Sequence, residues 1–249
     1  MKKNHYLLIL VALLFSACSS YKDIPYYQDL DRTKVVQEEI TNFTPTTIHV
    51  ADVLGINVSS RTPEQSAIFN YSAKDMQTSV SGYLVDERGE IQLPLIGAIK
   101  VAGLTTNQLQ EKINQALVTF YKDPVTNVRI LNFRVAVYGD VLKPDVYTFK
   151  DEKVTITQAL TMAGDLNITA MRKNLVLIRE ENGKRNYIPI DLTSKNLFQS
   201  PYYYLKSNDQ IYVQPDRTKY STVDRGYKTT TLVLSGLSII AIVLSNLFR

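Results

Sequence analysis

Cys18 is the single cysteine of the chain, and its setting gives the thiol a specific chemistry. Lys2 and Lys3 precede an apolar run from Tyr6 to Phe15, and the small residues Ser16 and Ala17 stand directly before Cys18. This is the charged region, apolar region and small-residue cleavage site of a secretory signal; its apolar run of about ten residues is too short to span a bilayer of roughly 30 Å. A thiol at the cleavage point predicts that residues 1–17 are removed and that the mature chain begins at a lipidated Cys18. Phe15 stands where leucine is usual, three residues before the cysteine, with Leu14 adjacent. With its thiol given to the lipid, an exported chain has no disulfide available, so its fold rests on burial.

Other reactive groups are too sparse for catalysis. His49 is the one histidine left once the signal is removed, and the chain has no tryptophan. No P-loop, dinucleotide fingerprint, nucleophile elbow or zincin motif occurs, and one histidine cannot seed a zinc site. Asp86 with Glu87 and Glu180 with Glu181 are carboxylate pairs of the kind glycoside hydrolysis uses. Both fall in expected hairpin loops, where solvated charge explains them more simply. Tyr202, Tyr203 and Tyr204 could stack on sugars, although strand propensity and packing account for them more simply. Without Lys2 and Lys3 the chain carries 26 basic and 24 acidic residues. That balance is too even for a nucleic-acid partner. The expectation is a protein that is not an enzyme and needs no cofactor or metal.

The C-terminal end carries a second patterned feature. Thr229 to Phe248 is a stretch of 20 residues without a charge, 11 of them Leu, Val, Ile or Phe. A helix of about 20 residues spans about 30 Å, which predicts a transmembrane helix over 229–248. Thr231, Ser235, Ser238 and Ser245 fall on one helical stripe, interrupted by Ile242 and continued by Arg249. A lone helix in lipid has little use for such a stripe, whereas helices in a ring could turn it toward neighbours or a wet lumen. The stripe is therefore a candidate pore lining, with small residues merely tolerated in a span, or used in helix association, as the other readings. Lys219, Arg225 and Lys228 precede the helix and Arg249 follows it. That flank conflicts with insertion from the cytoplasm after export, and the conflict eases if the helix enters an outer membrane from the periplasm. Ser19 after the cysteine gives no aspartate signal for inner-membrane retention.

Between these ends the chain reads as α+β. Residues 18–47 are polar, contain Pro25 and Pro45, and read as a lipidated tether. Ile48 to Val58 alternates as a strand broken by a turn at Asp52. Tyr83–Val85 and Glu90–Leu93 flank Asp86–Gly89 as a hairpin. Thr105 and Gln108 form a capping box opening a helix whose apolar face is Leu109, Ile113, Ala116, Leu117 and Phe120. Val125 to Val137 reads as one strand. A second unit has similar grammar. Val135 and Val137 lead to Gly139, Pro144 turns the chain into Val146–Phe149, and Thr155 with Gln158 is a second capping box, its helix ended by Gly164. Leu175–Arg179 and Lys184–Ile190 flank Glu180-Glu181-Asn182-Gly183 as a hairpin, and Leu205–Val213 closes the unit. Ile48, Asp52, Leu54 and Ile56 match Leu205, Asp209, Ile211 and Val213 in spacing. Either the two units are related, or each needs an Asx turn before a buried strand.

Gly82 to Gly97, with Glu90-Ile91-Gln92-Leu93-Pro94-Leu95-Ile96-Gly97 at its core, followed by Val101-Ala102-Gly103-Leu104-Thr105, resembles the signature of the Wza-type polysaccharide biosynthesis/export family. Ile48 to Leu54 resembles that family's opening motif around Asp52, with Ala51 replacing the usual glycine. Val137 to Tyr147 resembles the start of a soluble-ligand-binding β-grasp (SLBB) domain; there Asp145 replaces the common glycine after Pro144, and Gly164-Asp165 replaces Gly-Gly. The residues around Cys18 also resemble short export lipoproteins of Bacteroidetes. The resemblance gives Asp52, Gly89, Pro94, Gly97, Gly103, Gly139 and Pro144 structural roles. It implies a signal peptide (1–17), the tether (18–47), an export domain of β-hairpins plus helix (48–135), one SLBB β-grasp domain (136–215), a linker (216–228) and the transmembrane helix (229–248).

The resemblance further implies an outer-membrane lipoprotein with its globular part in the periplasm. It would form a homo-oligomeric ring that exports capsular polysaccharide or exopolysaccharide and meets an inner-membrane chain-length regulator with tyrosine-kinase activity (a polysaccharide copolymerase). The rival reading is a lipid-anchored periplasmic glycan- or cell-wall-binding module whose last helix is a second anchor without a pore. A periplasmic polysaccharide-acting enzyme is a further rival, disfavoured by the missing catalytic set.

Overall fold

The computed structural model describes residues 23–61, 67–69, 82–181, 183–220 and 225–247. The signal segment and Cys18 lie outside the described residues. Alternating apolar residues and two helix-capping signals give a mixed α and β fold, with three α-helices and three sheets among the described residues.

In the first unit, β1 (Val53–Ser59) buries Leu54, Ile56 and Val58 on one face. It pairs antiparallel with β2 (Tyr83–Leu84) on one side and with β5 (Val125–Ile130) on the other. Helix α1 (Thr106–Leu117) starts at the expected capping box: the Thr105 hydroxyl accepts the Gln108 N–H, and the Gln108 side chain accepts the Thr105 N–H. Leu109, Ile113 and Leu117 are fully buried, but Phe120 is 50% exposed because α1 has already ended.

The hairpin expected between 83–85 and 90–93 does not form as a ladder. Instead β3 (Glu90–Leu93) pairs with β4 (Gly97–Lys100) across Pro94-Leu95-Ile96. The loop between the two segments is closed by Asp86, whose carboxylate accepts the N–H groups of Arg88 and Glu90 at 3.0 and 2.8 Å. The Asp86 N–H also donates to the Glu90 carbonyl at 2.9 Å, so the two segments meet only at this Asx turn, β2 pairing with β1 and β3 with β4. The single strand expected over 125–137 is likewise two strands in different sheets. Leu131 donates its N–H to Val53, while the Asn132 side chain accepts from the Val53 N–H and donates to the Ala51 carbonyl. These bonds end β5 against β1, and Phe133 then enters the second core, edge-on to Phe149.

The second unit is a five-stranded sheet of order β7-β6-β10-β8-β9. Its strands are β6 (Arg134–Gly139), β7 (Asp145–Thr148), β8 (Ala170–Glu181), β9 (Lys184–Ile190) and β10 (Gln210–Pro215). Central β10 runs parallel to β6 and antiparallel to β8. The expected β8–β9 hairpin is present, with Glu181 opposite Lys184. Helix α2 (Ile156–Met162) begins at the second capping box and buries Ile156, Ala159 and Leu160.

Residues 23–42, expected as a loose tether, run along the second unit as a strap. Tyr27 and Gln28 donate their N–H groups to the carbonyls of Leu192 and Thr193. Asp29 accepts from Ser194 and Lys195, Glu38 pairs with Lys195, and Asn42 donates to the carbonyls of Phe198 and Ser200. Polarity was misleading here: the strap's polar groups are spent on the fold.

Helix α3 (Arg225–Leu247) covers the expected helical stretch. Its large apolar side chains from Leu232 to Leu244 are all exposed. The expectation of a transmembrane span is corrected, however: among the described residues no helix is long and apolar enough to cross a membrane.

Candidate functional site

The family-motif residues build the corners of the two units. Asp52 is buried, and its carboxylate accepts the His49 N–H at 2.7 Å. Burial pushes this carboxyl above its ordinary range, opposed by that hydrogen bond. Gly89 sits at φ +72° in the Asx turn, where an added Cβ would meet the Ala102 Cβ at 2.5 Å. Pro94 opens the β3–β4 turn, Gly97 begins β4, and Gly103 donates its N–H to the Ile48 carbonyl just before α1. Gly139 ends β6 at φ +101°, with the Val213 carbonyl where a Cβ would stand. Pro144 turns the chain into β7. These residues lie in or beside loops and do not converge on a reactive centre.

The loop at Asp52 does converge with something else. His49 and Asp52 share a cleft of about 480 Å³ with Arg134, Arg179, Glu181 and Lys206 of the second unit. Four of its charges are paired: Arg179 grips buried Asp209 through two bonds of 2.6 and 2.9 Å, and Lys206 reaches Glu181 at 2.7 Å. Glu180 is bound by Arg185. Glu180 and Glu181 are thus ion-paired, and Asp86 is bound by Arg88, so none of these carboxylates is arranged as an acid/base pair. His49 is exposed in the turn before β1. No group of three or more metal-ligating side chains occurs among the described residues.

Sequence reasoning missed the buried Asp140, the buried Arg172 and the strap. Asp140 is fully buried and accepts from Asn167, Thr169 and Lys219 at 2.9, 2.6 and 2.5 Å. Burial alone would raise its carboxyl, but these three donors outweigh it and hold the group below its ordinary range. Lys219 lies in the short 3₁₀ turn Arg217–Tyr220 before α3, so this bond ties the root of α3 to the second unit. The strap adds its own aromatics. Tyr26, Tyr27, Phe198, Tyr203, Tyr204 and Phe43 form an unbroken series with ring centroids 4.8 to 5.9 Å apart. The clustered Tyr202–Tyr204 was the one hint of this series in the sequence.

On α3, Thr231, Ser235 and Ser238 are exposed, and the side chain of Ser245 lies outside the described residues. Ser235 and Ser238 donate back to the carbonyls of Thr231 and Leu234, both at 2.9 Å. Bonds of this kind satisfy a hydroxyl within its own helix, so the stripe does not by itself demand a wet surface.

Residues 42–131 match the model of the polysaccharide biosynthesis/export protein family. The chain is 34% identical over 137 residues to the "EPS I polysaccharide export outer membrane protein EpsA" of Ralstonia nicotianae, covering 51% of this chain and 36% of that one. It is 34% identical over 146 residues to the protein of the same name from Ralstonia solanacearum, covering 54% of this chain and 38% of the relative. It is 26% identical over 178 residues to the "Exopolysaccharide production protein ExoF" of Rhizobium meliloti, covering 59% of this chain and 41% of the relative. The matches thus span about two fifths of the curated relatives' length. The matched segment holds the Asp52 turn, the β3–β4 hairpin and the capped α1, the residues that carried the resemblance in the sequence. Residues 42–131 thus carry the similarity to the polysaccharide biosynthesis/export protein family, the family that the hairpin motif resembles in the sequence.

Proposed function

We propose that this chain is an outer-membrane lipoprotein of exopolysaccharide or capsular polysaccharide export, anchored through Cys18, with its globular part in the periplasm. The carrying observation is the matched export domain, whose hairpin motif folds as a β3–β4 hairpin leading into α1. The names of the relatives support both the outer membrane and the substrate class. The mixed five-stranded sheet supports reading the second unit as the SLBB β-grasp domain. In this reading the role is transport, not catalysis. The chain acts as a homo-oligomeric ring, and its inner-membrane partner is a chain-length regulator with tyrosine-kinase activity.

The exposed apolar surface of α3 is the element with most to gain from assembly. In a ring of these helices, Thr231, Ser235, Ser238 and Ser245 face the lumen. The glycan-binding-module alternative needs no ring. The two are separated by the mass of the detergent-extracted protein. The export reading expects a closed homo-oligomer; a monomer across several mild detergents would favour the binding module.

A further inference from the structure

The strap and α2 enclose a second cleft, of about 490 Å³, that the export reading does not use. That volume lies within the usual range for small-ligand sites. One wall is Tyr26 and Tyr27 of the strap, both half-buried. The other is the exposed end of α2 and the turn after it, with Thr157, Thr161, Gly164 and Asp165.

Asp165 is the unusual member of this set. It follows Gly164, and both residues lie in the left-handed region, at φ +70° and +76°. Glycine takes that conformation freely, while aspartate does so at some cost. Its carboxylate also stands just past the C-terminal end of a helix, where the dipole disfavours negative charge. Helix termination therefore explains the backbone, through the bond from the Asp165 N–H to the Leu160 carbonyl at 2.9 Å, but not the choice of an acid. Oδ1 accepts from Leu166 at 2.8 Å and from the Tyr26 hydroxyl at 2.5 Å. Oδ2 accepts no hydrogen bond among the described residues, and Asp165 is exposed.

We propose that this cleft is a subsite for a neutral pyranose residue, built jointly by the strap and the second unit. A pyranose has a face of C–H groups that lies on an aromatic ring and an edge of hydroxyls that donates to a carboxylate. Tyr27 supplies the ring and Asp165 Oδ2 the acceptor, while Thr157 and Thr161, whose hydroxyls bond within the second unit, complete the lining. The tyrosines are prearranged, because the strap is held by backbone bonds to Leu192 and Thr193 that do not involve their side chains. Asp165 is the single charged side chain lining the cleft, and the one cation nearby, buried Arg172, stacks on the Tyr26 ring with its own bonds to backbone carbonyls, so the cleft selects against uronic acids and other acidic sugars. The inference rests on the export reading and names the sugar class that reading leaves open.

The test uses the full-length protein in detergent and neutral oligosaccharide fragments of the surface polysaccharide made by the producing strain. Saturation-transfer NMR should show transfer from protein to sugar ring protons. Asp165→Asn, which tolerates the left-handed backbone, and Tyr27→Ala should each weaken binding roughly tenfold or more. Unchanged melting temperatures would show that both variants remain folded. Tyr26→Phe, which keeps the ring, should still bind. An acidic probe, hyaluronan tetrasaccharide, should bind more weakly than the neutral fragments. Equal binding by wild type and both variants, preference for the acidic probe, or preference for an amine probe such as spermidine would each overturn the assignment. So would absence of binding in a strain whose surface polysaccharide requires the chain, and that result would leave the export reading intact.

Discussion

The carboxylates of Asp52 and Asp209 make the same turn in the two units. Asp52 accepts the His49 N–H at 2.7 Å and Asp209 accepts the Lys206 N–H at 2.8 Å. The return bonds, from the Asp52 N–H to the His49 carbonyl and from the Asp209 N–H to the Lys206 carbonyl, are both 3.2 Å. The residue before each aspartate, Ala51 or Asn208, has a φ of +70° or +68°. Ile48 donates its N–H to Leu104 just before the first capping box, and Leu205 donates to Val154 just before the second, both at 2.8 Å. The echo between the units therefore extends from sequence spacing to a whole arrangement of turn, buried strand and capped helix. The chain order differs, since the turn precedes its helix in the first unit and follows it in the second. A need for an Asx turn alone does not ask for the matching helix contact. The two turns also meet at the charged cleft, through His49 and Asp52 on one side and Lys206 on the other.

The equivalence has one break, which yields a prediction. Asp209 is gripped by buried Arg179, and among the described residues Asp52 has no such cation. Arg179→Ala leaves Asp209 buried without its partner and should destabilise the fold by roughly 3–5 kcal/mol. Lys206→Ala, which removes a half-exposed pair with Glu181, should cost less than about 1 kcal/mol. Chemical denaturation of both variants checks the contrast, and comparable losses would show that the buried pair is not the stronger element.

Much of this arrangement was legible in the sequence. The capping boxes Thr105/Gln108 and Thr155/Gln158 fix both helix starts because their signal is local. The β8–β9 hairpin was legible for the same reason, since Asn182-Gly183 marks its turn. Sequence reading failed where one side chain redirects the backbone. Asp86 draws two N–H groups to itself and confines the β2–β3 contact to one Asx turn, and Asn132 ends β5 against β1. The cleft at Asp165 was illegible because one wall comes from the strap, far away in the chain, and polar composition there reads as a tether. Cys18 lies outside the described residues, and the role proposed for the α3 stripe calls for neighbouring copies that one chain does not supply.

Gly139 offers a backbone test. At φ +101° and with the Val213 carbonyl in the place of a Cβ, it lets β6 lie alongside β10 as the chain turns away. Gly139→Ala should destabilise by at least about 2 kcal/mol, because strain and overlap add. Gly183→Ala, at φ +70° with open space around it, should cost less. Thermal melts of the two variants should separate clearly, and equal shifts would contradict the close approach.

Asp140 gives a pH dependence with a defined sign. Its carboxyl is held below its ordinary value in the folded state, so the folded protein binds fewer protons there than the unfolded chain. The stability it contributes is present above the unfolded pKa, about 3.9, and is lost as pH falls through the lowered folded value. Asp140→Asn, neutral at every pH, should therefore melt below the wild type at pH 6–8, with the gap closing below about pH 4. A gap that widens with acid would contradict the three-donor account of this site.

The central claim, a role in polysaccharide export, is tested most directly by surface polysaccharide in a strain lacking the chain. Deletion should abolish or strongly reduce polysaccharide on the cell surface and in the medium. The full-length gene should restore it, and the Cys18→Ser form should not, because it lacks the lipid anchor. Unchanged surface polysaccharide after deletion, with no second copy of the gene to compensate, would contradict the account.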